Sequence, residues 1–281
     1  MIDDYSLDKS NEIIEKYKKI DERILLLKNI KKRGTFISRN LGALYSKGLY
    51  LILPDSDDII SKNILNFCFK YAKKYNYEII KFNQYLGHKN LLFNKVINQL
   101  ENRTIYQPEL SSYIFYGKNE LQIIDSSLSN KFIKKEVYIR GINYLIKYYL
   151  NMFIINMEDS MMNFILQKEA KSLYFLKKIG YYYIKNSQSI TKSLFKKSRL
   201  QQQFLFVYLK LVYEYSKNNK IEKDIFNLLF TNFSKELSKS TFPFNNNINF
   251  YSELIKIFLK CKFISRENNI ILKDFKNKLK I

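Results

Sequence analysis

The sequence predicts an α/β protein with a mostly parallel sheet and a helical region behind it. Three observations carry that expectation. A continuous apolar run, Leu49 to Leu53, is entered from Gly48 and left through Pro54, as expected for a strand buried on both faces. Apolar residues at helical period and short apolar runs then alternate as far as Lys185, the pattern of βα units. From Leu194 onward only the helical period remains, as in Phe204/Tyr208/Leu211/Tyr215, Ile225/Leu229/Phe233/Leu237 and Tyr251/Leu254/Phe258. The division this implies is an α/β domain over residues 1–191 and a basic helical region over 192–281.

Taken in order, Lys9–Lys19 reads as a helix with Ile13, Ile14, Tyr17 and Ile20 on one stripe. Arg23–Leu27 reads as a strand, 29–34 as a polar loop and Thr35–Ser46 as a helix. Lys62–Tyr75 is expected to be helical with Ile64, Leu65, Phe67, Cys68 and Tyr71 inward, and Glu78–Asn83 to be a strand. Residues 84–127, with Gly87, Pro108, Gly117 and scattered aromatics, give no clear period; such insertions either shape a cleft or simply pack. Glu136–Leu150 is helical by period. Met152–Met157 reads as a strand running into Glu158 and Asp159, which open a helix over Ser160–Ala170. Lys171–Leu176 and Gly180–Lys185 read as two paired strands. Pro243 and the asparagines at 245–247 mark a loop within the helical tail.

Composition excludes several classes. With 46% apolar and 26% charged residues the chain reads as globular. No apolar run approaches the roughly 20 residues of a membrane span, and no charged-then-apolar leader opens the sequence, so a cytoplasmic location is expected. Cys68 and Cys261 lie far apart in apolar helical surroundings, which fits reduced, buried thiols. His88 is the single histidine, and no cysteine pair accompanies it, which disfavours a zinc site. The net charge of +22 invites a nucleic-acid reading, yet only seven of the 48 basic residues are arginine, the residue that reads bases and phosphates through paired donors. Residues 192–281 hold 18 basic and 7 acidic side chains, a density that suits a face turned toward an anionic membrane, where the protein would then be peripheral.

The most informative stretch follows Pro54. Asp55, Asp57 and Asp58 stand within four residues at the end of a strand, where open α/β sheets bind ligands. Carboxylates so close repel one another unless a cation or hydrogen-bond donors balance them, and hard divalent ions with oxygen ligands are one such balance. Ser-Asp-Asp after a strand is equally ordinary turn and helix-capping chemistry, and spacing alone leaves both readings open. The same holds for Glu158 and Asp159, since acids at a helix N-terminus are favourable for structural reasons alone.

The segment from Arg33-Gly34-Thr35-Phe36-Ile37-Ser38-Arg39-Asn40-Leu41-Gly42-Ala43 through Gly48–Asp58 closely resembles family 2 glycosyltransferases of the GT-A (Rossmann-like) fold. Their typical pattern is G-x-x-x-A/S-R-N-x-G-x-x-x-A-x-G-x-Y-I-x-F-L-D-S-D-D, and the likeness extends over roughly residues 2–191. The resemblance implies an inverting transfer of a sugar from a nucleotide-diphosphate donor to a hydroxyl of a glycan or glycolipid acceptor, as in polysaccharide biosynthesis. It implies Asp159 as catalytic base, with Glu158 in reserve. It places Asp4, Arg39 and Asp55 at the nucleotide sugar, and Mg²⁺ or Mn²⁺ at Asp57 and Asp55, the D-x-D acids. Arg39 has a structural alternative, a bridge to Asp4 or Asp55. Tyr5 stands where the family has glycine, which puts the local backbone in question. Family members also begin with a strand and helix that have no counterpart here, so an incomplete, N-terminally truncated domain is expected. Two rival functions follow: an inactive family member acting as a nucleotide- or carbohydrate-binding or assembly protein, and a basic nucleic-acid-binding protein.

Overall fold

Strand and helix alternate from the first residues. The computed structural model describes residues 1–87, 93–97, 101–110, 113, 127–149, 158–185, 209, 211–213, 223–224, 226–227 and 230–231. The elements are β1 (Ile2–Asp3), α1 (Ser10–Lys18), β2 (Leu27–Lys28), α2 (Thr35–Tyr45), β3 (Tyr50–Leu51), β4 (Ile59–Ile60), α3 (Ile64–Tyr75), β5 (Ile79–Gly87), β6 (Phe93–Ile97), β7 (Arg103–Tyr106), β8 (Lys131–Lys134), α4 (Lys135–Tyr149), α5 (Glu158–Glu169) and β9 (Ser172–Ile184). Two compact units result, one from Met1–Ile114 with Asp125–Ser189, the other from Phe115–Ile124 with Ile190–Ile281.

In the first unit β1 and β2 pair in parallel as a small sheet of their own. The larger sheet runs β3-β8-β5-β9-β4, with β6 added along β5 and β7 along β9. Its longest ladder is parallel, from Ile79 opposite Leu173 to Gly87 opposite Ile184; the others in this sheet are antiparallel. One core lies between α3 and this sheet: Ile64, Cys68 and Ala72 meet Ile80, Phe82, Phe132, Leu176 and Tyr181. Burial there pushes the Cys68 thiol up to about 12, so it stays protonated and acts as a small apolar group.

Several local expectations are corrected. The Leu49–Leu53 run is not buried on both faces: β3 is an end strand of only two residues, with Leu49 exposed and Leu51 buried. Extended pairing before β2 is likewise confined to Leu27–Lys28. Along α3 Ile64, Cys68 and Ala72 face inward, whereas Leu65 and Phe67 are exposed. Phe67 instead lies under the Lys178 ammonium, 4.2 Å from its ring centre. On α1 no residue is buried, and Ile13, Tyr17 and Ile20 of the expected stripe are exposed.

The largest correction concerns 171–185. These residues form one strand, not a hairpin. Lys177 and Lys178 bulge out into solvent where the β5 register jumps from Phe82 opposite Leu176 to Asn83 opposite Ile179. A bulge absorbs the polar pair, and the apolar alternation resumes beyond it. Gly180 follows because nothing larger fits: an added Cβ would stand 2.4 Å from both Ile64 and Phe82.

Residues 150–157 and nearly all of 186–281 lie outside the described residues, including the expected Met152–Met157 strand, His88, Cys261 and most of the tail stripes. In the second unit Leu209, Leu211, Val212, Phe226 and Phe230 are helical and buried. Phe226 stacks on Phe230 at 6.3 Å, an i,i+4 pair on one helix face.

Candidate active site

The site is assembled from the ends of three elements, and Arg39 joins them. Its position is prepared upstream. Gly34, at φ 85°, turns the chain into α2, in a backbone region open mainly to glycine. The Asp4 carboxylate steadies that turn by accepting the Arg33 N–H (2.8 Å), the Gly34 N–H (2.9 Å) and the Asn29 side-chain amide (2.8 Å). α2 has no side-chain cap, and these oxygens instead hold the backbone of the two residues that lead into its first turn. Tyr5 beside it holds φ 63°, so the left-handed turn persists although a tyrosine must adopt it. One residue past Arg39, the buried Asn40 accepts the Tyr138 hydroxyl at 3.2 Å and locks α2 onto α4.

Arg39 therefore enters the site from a fixed helix, with its side chain 12% exposed. One guanidinium nitrogen meets Asp55 at 2.5 Å. The other binds Asp159, with Glu158 at 3.4 Å. Of the two bridges the sequence left open, the one to Asp55 forms, while Asp4 is occupied by the loop before α2. Glu158 and Asp159 begin α5, as expected from helix-terminus electrostatics. The second Asp159 oxygen accepts the Leu128 N–H at 3.3 Å, from the loop that leads into β8. The first residue of β8, the buried Lys131, donates its ammonium to the Ser127 carbonyl of that loop, and its charge also favours ionised Asp159.

Burial raises the Glu158 carboxyl above its ordinary value, and the Asp159 charge adds to this while Arg39 opposes it. Asp159 is raised too, by burial first, again against the pull of Arg39. For Arg39 burial acts downward, but Asp159, Asp55 and Glu158 outweigh it and hold the guanidinium more firmly charged. The ion cluster thus holds three carboxylates around one guanidinium, and burial at Glu158 and Asp159 favours keeping a proton there.

The acidic loop divides by role. Asp55 is half-buried against Arg39, and Asp57 is exposed. Asp58 turns back into the protein, where it accepts the Tyr181 hydroxyl (2.6 Å) and the Ile184 N–H (2.8 Å). Among the described residues no group of three or more His, Cys, Asp or Glu is placed to hold a metal ion. Two carboxylates of one loop, Asp55 and Asp57, nevertheless offer the hard oxygen donors that suit an ion taking its other ligands from water and phosphate. The sequence did not single out Tyr181, Leu128, Lys131 or Tyr138. A run of three tyrosines, 181–183, carries no signal for which one turns inward.

The profile of glycosyl transferase family 2 matches residues 1–140. These residues belong to glycosyltransferase family 2. The family region takes in Asp4, Arg39, Asp55 and Asp57 and stops short of Glu158 and Asp159, which Arg39 ties to it. Curated relatives include a glycosyltransferase, GlyG, of Streptococcus pneumoniae, 29% identical over 85 residues, 30% of this chain and 28% of that protein. Another is an uncharacterized glycosyltransferase of Methanocaldococcus jannaschii, 34% identical over 73 residues, 26% of this chain and 25% of that protein. The matched stretch thus spans about a quarter of those relatives' own length. S. aureus TarS residues 1–349, solved with UDP-GlcNAc, shares the fold: the TM-score is 0.66 at 14% identity, covering 99% of this chain and 77% of that one. The architecture is accordingly the α/β GT-A fold of family 2 glycosyltransferases. Among the described residues no helix is long and apolar enough to cross a membrane.

Proposed function

We propose that the protein is an inverting glycosyltransferase that moves a sugar from a nucleotide-diphosphate donor to an acceptor hydroxyl. The observation that carries this reading is the joining, through one guanidinium, of the acidic loop after β3 to the carboxylates at the start of α5. A donor bound at the loop would present its anomeric carbon to an acceptor activated at Asp159. The complex of TarS with UDP-GlcNAc supports a nucleotide sugar as the donor class.

Each residue has a role in that scheme. Asp159 takes the acceptor proton. Two of its acceptor positions are engaged by Arg39 and Leu128, and a carboxylate has about four, so it can receive a hydroxyl without losing either anchor. Its burial raises its basicity, which suits a general base. The acceptor oxygen then attacks the anomeric carbon as the bond to the diphosphate breaks, and configuration inverts because attack and departure occur on opposite faces. Arg39 stabilises Asp159 in position and offers always-charged donors to the diphosphate side. Glu158 sits beside the base as a second proton acceptor. Asp4 keeps spare acceptor capacity for a donor on the nucleotide base. Asp55 and Asp57 would hold Mg²⁺ or Mn²⁺, which supplies positive charge to the departing diphosphate. The basic excess of residues 192–281 supports attachment to an anionic membrane.

The test is transfer or hydrolysis from a panel of nucleotide sugars with Mn²⁺, in the parent and two variants. Asp57→Ala should weaken metal-dependent UDP or GDP binding. Asp159→Asn should bind donor as the parent does and turn over roughly 10²-fold or more slowly. Equal turnover in Asp159→Asn and the parent would remove Asp159 as the base.

A further inference from the structure

Asp58 shows a use for the third acid of the loop that does not involve a ligand. Its two oxygens are both spent inside the protein, on the Tyr181 hydroxyl at 2.6 Å and the Ile184 N–H at 2.8 Å. The same Tyr181 hydroxyl accepts the backbone N–H of Asp55 at 3.1 Å. A single phenol oxygen therefore ties the first acid of the loop, through its backbone, to the last acid, through its side chain. The loop also closes on itself where the Asp58 N–H meets the Asp55 carbonyl at 3.2 Å.

The phenol cannot easily move. Tyr181 is fully buried in the core cluster with Ile64 and Phe82. Its neighbour Gly180 lies so close to those two side chains that even a methyl group would collide with them. Beyond the loop, β4 is paired to β9 opposite Tyr181 and Tyr182, and the Ser61 N–H bonds the Gly180 carbonyl at 3.0 Å. Core, strand and hydroxyl thus form one rigid support, and Asp57 is the acid left on the exposed side of the turn.

We propose that Tyr181 and Asp58 are the positioning pair of the site: they hold the Asp55–Asp57 turn in the geometry that receives the metal and diphosphate. The proposal rests on the reading of Asp55 and Asp57 as the donor-binding acids. Tyr181 packs like any core aromatic, so a phenylalanine would fill the same space and remove only the hydroxyl. That substitution strands the Asp55 N–H and frees the Asp58 carboxylate, so the turn gains freedom where the ligand needs it fixed.

The experiment uses the whole chain, Mn²⁺ with UDP as the probe, calorimetric titration, donor KM and kcat, and thermal unfolding. Tyr181→Phe and Asp58→Ala are made singly and together, with Asp57→Ala as the control. Each single variant should weaken Mn²⁺–UDP binding about tenfold, the scale of one hydrogen bond to a charged group. The double variant should lose no more than about tenfold in all, because both changes break the same bond. Donor KM should rise while kcat at saturating donor stays within about threefold, a split that general loosening of the fold would not produce. Asp58→Ala reports on the same bond should Tyr181→Phe fold poorly. Parent-like affinity in either folded single variant overturns the pairing, as does an additive, roughly hundredfold loss in the double. Unchanged binding in Asp57→Ala instead overturns the reading of the loop as the donor site, and the proposal with it.

Discussion

Replacing Arg39 by methionine keeps the length and packing of the stem and deletes only the cation. Glu158 and Asp159 side chains are 11% and 24% exposed, so both lose their countercharge in a largely dry setting; Asp55, at 38%, is better solvated. Removing one partner of a buried ion pair costs about 3–5 kcal/mol, while a solvated pair contributes only about 0–1 kcal/mol. A stranded carboxyl can escape by staying protonated, which costs about 1.4 kcal/mol for each pH unit above its ordinary value. Glu158 already stands at about 7 beside Arg39, so the new cost falls on Asp159: from the ordinary aspartate value of 3.8 its escape costs about 4.4 kcal/mol at pH 7 and about 1.6 kcal/mol at pH 5. Arg39→Met should therefore lose about 3–4 kcal/mol near pH 7 and less than half of that at pH 5. The sign follows from proton linkage. Both carboxyls are raised in the folded state, so their contribution to stability is fully present below their unfolded values and is lost as pH rises through the folded ones. Without Arg39 to oppose burial, that loss deepens. Urea unfolding of parent and variant at the two pH values measures it. A penalty below about 1 kcal/mol at pH 7, or one that grows on acidification, would refute the account of Arg39 as the cation these acids depend on.

Two further outcomes are expected. Gly180→Ala should destabilise the protein by about 1–3 kcal/mol, the range for overpacking a filled core, because the new methyl would meet Ile64 and Phe82 at 2.4 Å; an unchanged melting temperature would show slack there. Full-length protein should float with anionic vesicles and not with neutral ones, and should lose this when residues 192–281 are charge-reversed at several lysines; equal flotation with both vesicle types would remove the membrane proposal.

Much of the first unit is legible residue by residue because its signals are local. The helical period locates α1, α2, α3, α4 and α5 to within a few residues, and the acids after Pro54 stand where the chain leaves β3. Period reports which face is apolar, however, not what covers it. Phe67 shares the apolar stripe of α3 yet lies outside the core, with the Lys178 ammonium set over its ring from a bulge more than a hundred residues later. Lys177 and Lys178 look like a turn between strands, and only the parallel ladder with β5 makes one continuous β9 of 172–184.

The same division runs through the site. Residue type and order alone mark the acids Asp55, Asp57, Glu158 and Asp159 as either site or capping residues; the resemblance to family 2 glycosyltransferases is what nominates them, with Asp4 and Arg39, for the site. Neither decides which acid meets which partner. Arg39 reaches across 16 residues to Asp55 and 120 to Asp159, and Tyr181 across 123 to Asp58. Three aspartates in one loop are chemically identical until the fold gives them different neighbours. The sequence supplies the carboxylates; the tertiary structure turns one of them inward to a phenol and another outward to solvent, because only packing sets the distance, direction and dryness on which their interactions depend.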